Sequence, residues 1–128
     1  MAARFHRLFE IETDKFPGVA PRPDAINEMI GGDELAAWLH DRLIAQGYAC
    51  RDIYTEDHGW DFEVTRDRRR YRVVCSCDFE KEGVPARWHF VQVAQIKGEP
   101  VEPDPLLAEV RVILVAGDDI QIVADEAK

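Results

Sequence analysis

The stretch GGDELAAWLHDRLIAQGYACRDIYTEDHGWD, residues 31–61, decides how this chain folds. Gly31-Gly32 interrupts whatever precedes it, and the Asp33 carboxylate can accept a bond from an unpaired N–H in the first turn of a helix. Leu35, Trp38, Leu39 and Leu43 then recur at spacings of three and four, which places them on one stripe of that helix. Glu34, Asp41, Arg42 and Gln46 fall off the stripe, and so does Ile44. Gly47 supplies the left-handed residue that ends a helix without strain. Trp38 is expected to anchor the core, as a large aromatic at helical spacing commonly does.

Beyond Gly47 the period shortens to two. Tyr48 to Asp57 reads as a strand, Asp57-His58-Gly59 as a hairpin turn, and Trp60, Phe62 and Val64 alternate with Asp61, Glu63 and Thr65. Aromatics and carboxylates therefore take opposite faces. Arg66 to Arg70 is a polar turn leading into a strand from Tyr71 to Phe79. There Tyr71, Val73, Cys75, Cys77 and Phe79 alternate with Arg72, Val74, Ser76 and Asp78. After a charged turn at Glu80 to Pro85, a strand from Arg87 to Ile96 admits two registers. Either Trp88, Phe90 and Ala94 face the core, or His89, Val91 and Val93 do.

Upstream, Arg4 to Glu12 reads as a strand, with Phe5, Phe9 and Ile11 on one face and His6, Leu8, Glu10 and Glu12 on the other. Lys15 to Asp24 carries three prolines and reads as an irregular connection, with a turn of helix expected from Ala25 to Ile30. Downstream, Gly98 to Pro105 is a loop. Asp104 and Pro105 provide an N-cap and first residue for a second helix through about Val115, although Val110 to Val115 is β-branched enough to suit a strand. Ile120, Ile122 and Val123 suggest a short last strand.

The predicted order is β-α-β-β-β-β-α-β in a single domain spanning residues 1–128. Short connections between the middle strands require antiparallel pairing, and two amphipathic helices cover one face. The expected fold is a two-layer α+β sandwich, ferredoxin-like or TATA-binding-protein-like, with an antiparallel sheet of about five or six strands. Trp38-Leu39 ahead of the helix-ending glycine, then Glu56-Asp57-His58-Gly59-Trp60 and a following strand pair, resemble a pattern in small bacterial proteins of unassigned function. The resemblance covers roughly the middle half of the chain; it implies the fold and no activity.

A formal net charge of −9 disfavours nucleic acid and anionic membrane surfaces as partners. No stretch is long and apolar enough to span a membrane, and Met1 to Glu10 has basic residues without the apolar run of a signal peptide. Cys50, Cys75 and Cys77 are odd in number and lack framework spacing, which suits a reducing, cytoplasmic compartment.

No catalytic, metal or cofactor site is read from the sequence. Cys75 and Cys77 share a strand face, but a metal needs three or four ligands, and Cys50 and the histidines at 6, 40, 58 and 89 are scattered. Both thiols are expected in the core. Glu56, Asp57, His58 and Asp61 have acid–base chemistry yet sit at a hairpin, where Asp57 is expected to bond backbone N–H groups of the turn. Ser76, the only serine, lies mid-strand without a nucleophile-elbow context.

The uncovered sheet face is the leading candidate surface. Asp61, Glu63, Arg72 and Asp78 point away from the helices, and Trp88 and Phe90 join them if His89, Val91 and Val93 face inward. The expected role is a non-catalytic protein-interaction module, engaging a protein partner or a second copy as a homodimer. Two alternatives stand beside it. One is a small-ligand or enzyme site near the proline-rich residues 16–23; the other is an anion or nucleic-acid contact through Arg68, Arg69 and Arg70.

Overall fold

Helix α1 (Asp33–Ala45) and helix α2 (Pro105–Ala116) pack on one face of an antiparallel sheet, the two-layer α+β architecture that the periodicities predict. The computed structural model describes residues 4–128. Met1, Ala2 and Ala3, where the reading against a signal peptide begins, lie outside the described residues.

The strands are β1 (His6–Glu12), β2 (Ile30–Gly31), β3 (Ala49–Cys50), β4 (Tyr54–Glu56), β5 (Gly59–Arg66), β6 (Arg69–Asp78), β7 (Trp88–Lys97) and β8 (Gln121–Ala127). Among the described residues the sheet thus has eight strands, not five or six. Six follow the order β3-β5-β6-β7-β1-β8, while β2 pairs with β6 and β4 with β5. The turn of helix expected from Ala25 to Ile30 does not form; residues 25–29 are bends and turns, and Ile30 begins β2. The single strand expected from Tyr48 to Asp57 is divided into β3 and β4, which both pair with β5. These added strands are two or three residues long and exist because longer neighbours offer them partners, so no period marks them in the sequence.

Helix α1 buries Leu35, Ala36, Leu39 and Leu43, as its stripe requires. Trp38 is half-buried, packed edge-on to Phe16 with the Arg42 guanidinium 4.5 Å from its ring centre. The N-cap differs from expectation. Gly32 occupies it, Asp33 is the first helical residue, and the Asp33 carboxylate pairs with Arg22 instead of capping. Gly32 sits at φ +133°, and a Cβ there would collide with the Cys75 carbonyl oxygen. Gly59, at φ +150°, approaches the same oxygen from β5, where a Cβ would lie 2.6 Å away. Two glycines at the ends of the quoted stretch thus let α1 and β5 close on one point of β6.

Helix α2 is fixed by Asp104, which is buried. Its Oδ1 accepts from the N–H groups of Leu106 (2.9 Å) and Leu107 (3.1 Å), and its Oδ2 accepts from the Tyr71 hydroxyl at 2.9 Å. Burial, and next the Asp104 carboxylate, push the Tyr71 phenol upward, so it remains a donor. The register of β7 resolves to His89, Val91 and Val93 inward. All three are buried, whereas Trp88 is 44% exposed.

Replacing Asp104 with Ala removes a cap and strands a buried hydroxyl, which should cost about 2 kcal/mol. Urea unfolding reads this as a lower midpoint at unchanged slope, and Asp104→Asn, still an N-cap, should lose less.

Candidate functional site

Alternation along β1, β6 and β7 builds the reverse face of the sheet from residues that the core does not need. Ladder partners share a face, so Glu12 lies beside Trp88, Glu10 beside Phe90, Leu8 beside Gln92 and His6 beside Ala94. On the other side of β7, Ser76 flanks Phe90, Val74 flanks Gln92 and Arg72 flanks Ala94. Among the described residues no helix covers this face.

Its two ends differ in charge. Toward one end stand Trp88, Glu10, Glu12 and Asp78, with the indole N–H donating to Glu10 Oε1 at 3.3 Å. Arg87 pairs with Glu12 at 3.3 Å and Asp14 at 2.7 Å. Toward the other end, a groove of about 260 Å³ is floored by Val74, Ala94 and Ile96 and edged by His6, His58 and Arg72. Gln92 spans its middle, its amide oxygen 3.1 Å from His6 Nε2.

Asp61, Glu63, Arg72, Asp78, Trp88 and Phe90 all project to this face, yet Asp61 is not available on it. It is 1% exposed, with His58 Nε2 3.0 Å from both carboxylate oxygens. His58 therefore offers a hydrogen bond to a carboxylate that the hairpin would otherwise bury without a partner. Asp57 does not hold the turn through backbone N–H groups; its carboxylate faces His58 Nδ1 at 3.5 Å. Sequence reasoning left His6, Leu8 and Gln92 out of the candidate surface. Alternation from Glu10 and Phe90 would have found them.

Arg68, Arg69 and Arg70 do not converge. Arg68 and Asp67 form a two-residue turn at positive φ, Arg69 Nε donates to the Glu99 carbonyl at 3.1 Å, and Arg70 Nε is buried without a partner. Beneath the proline-rich segment a cavity of about 10 Å³ is bounded by Phe16, Arg22, Asp33, Glu34, Cys77 and His89, room for one water-sized group. His89 Nε2 donates to the Ala86 carbonyl at 3.1 Å, and burial lowers its pKa, keeping the ring neutral.

Cys75 and Cys77 lie on the core face. Burial pushes both thiols up, that of Cys77 to about 12, and burial likewise raises Cys50 to about 11. Among the described residues no three His, Cys, Asp or Glu side chains are grouped to hold a metal ion, and no helix is long and apolar enough to cross a membrane. No protein-family model matches the chain, and no curated protein or solved structure matches it.

Three outcomes follow from this geometry. His58→Ala should destabilise the fold by roughly 1–3 kcal/mol in thermal or urea unfolding, because Asp61 stays buried without its donor. The double variant His58→Ala, Asp61→Val should recover most of that loss. Thiol labelling of the native protein at pH 8 should leave Cys75 and Cys77 unmodified until urea unfolds the chain.

Proposed function

We propose that this chain is a protein-interaction module that engages another polypeptide through the reverse face of its sheet. The observation that carries the reading is Trp88, 44% exposed beside Phe90 on a face without helices. Leu8, Ala94 and Ile96 extend the apolar ground, and Glu10, Glu12, Arg72 and Asp78 rim it. An aromatic centre with a charged rim is the anatomy of a binding patch, and Trp and Arg dominate the energetics of such patches. The positions of the catalytic residue types favour binding over chemistry: both strand thiols are buried and His58 is engaged by two carboxylates. Three free thiols suit a reducing compartment such as the cytoplasm.

The rival surface is the outer stripe of α2, where Val112 is 61% and Val115 71% exposed. It offers small aliphatic side chains and no aromatic anchor. A photo-cross-linking side chain placed at Gln92 should yield polypeptide adducts in the cells that make this protein, whereas one at Val112 should not. Adducts from Val112 alone would remove the reading.

A further inference from the structure

We infer that the polypeptide this face receives is a second copy of the chain, packed face to face with the strands of the two copies antiparallel. The inference rests on the reading of the reverse face as a binding surface and names its occupant.

The support is a symmetry in the placement of charge. Cys75, Val91 and Phe9 are ladder partners and form one row across β6, β7 and β1. Three residues from that row on one side stand Asp78, Trp88 and Glu12. Three residues away on the other side stand Arg72, Ala94 and His6. A two-fold axis lying between the copies, perpendicular to the strands and over this row, sets each Asp78 against the other copy's Arg72. It also sets each Glu12 against the other copy's His6. Each Trp88 then lies over the other copy's Ala94, where the groove floored by Val74, Ala94 and Ile96 is open. Arg72 at the groove's edge is placed to meet the indole face as well as Asp78.

Sheets stacked face to face sit about 10 Å apart, a separation that these side chains span. Among the described residues neither Arg72 nor Asp78 has a salt-bridge partner, and both are exposed. The remaining pairs on β6, β7 and β1 are Phe90 over Gln92, Ser76 over Val74 and Glu10 over Leu8. Only the last opposes a charge to an apolar group, and there Glu10 keeps the Trp88 indole N–H. The other possible axis, parallel to the strands, would bring Asp78 onto Glu12 and Arg72 onto His6. Carboxylates then meet at one end, and at the other Arg72 has no carboxylate opposite it, so the face itself selects the antiparallel arrangement.

The test uses the purified full chain in sedimentation equilibrium and native mass spectrometry. Wild type should form a dimer that dissociates on dilution. Arg72→Glu and Asp78→Arg should each weaken it by roughly tenfold or more, since like charges then face each other twice. Mixing the two variants should restore the dimer as the mixed species, because both crossing pairs regain opposite sign. Trp88→Ala should weaken the dimer without charge involvement, and circular dichroism checks that each variant keeps its fold. A monomer at every concentration, or a dimer indifferent to these variants, or no recovery on mixing, would overturn the inference. Adducts from Gln92 to a different polypeptide, with a monomeric purified chain, would leave the binding reading standing and remove this one.

Discussion

Strand β7 is held by antiparallel ladders on both sides, to β6 through Arg70–Ser76 and to β1 through His6–Glu12, so its side chains cannot exchange faces without both ladders breaking. Val91 and Val93, β-branched and fully buried, fit the crowded space between sheet and helices. His89 accompanies them, stacked edge-on to Phe16 and bonded to the Ala86 carbonyl. The two large aromatics are consequently left on the side toward water. Apolar area kept in water is worth about 25 cal/mol per Å² to whatever covers it, so the core's demand for one register leaves an apolar surface on the other side.

The layer beneath makes that surface stiff. Asp104 ties the start of α2 to Tyr71 in the middle of the sheet, and Gly32 and Gly59 let α1 and β5 press on the Cys75 carbonyl. At the far edge Asp125 is bonded by Arg7 and Arg111, from β1 and α2. Burial alone would raise the pKa of that carboxyl, but the two guanidiniums outweigh burial and hold it below the usual range. A face supported in this way is preformed, and little ordering entropy opposes its use.

The charges on the face are arranged by the same alternation. Glu10, Glu12 and Asp78 sit toward one end of the face and Arg72 toward the other, where Glu63 is its ladder partner, each at a position where a strand must send a side chain outward. His58 belongs to the fold more than to the surface, since it compensates Asp61, which the short strand β4 and the turn bury. That assignment also accounts for a histidine and a carboxylate three residues apart without invoking acid–base chemistry.

Periodicity in the chain determined both helices, the long strands, the antiparallel pairing and the faces of β1, β5 and β6, because each is a local pattern that burial must obey whatever the partner. It also placed Glu63, Arg72 and Asp78 outward. It did not determine β2, β3 and β4 as separate strands, which owe their existence to hydrogen bonds offered by β5 and β6. Gly32 displaced Asp33 from the cap because the close approach to Cys75 tolerates no side chain there, a contact between residues some forty apart. The face of Trp88 and Phe90 was undetermined for the same kind of reason: both alternating sets of β7 contain apolar residues. Only the packing of β7 between β6 and β1, under two helices with room for valines, decided which set met water.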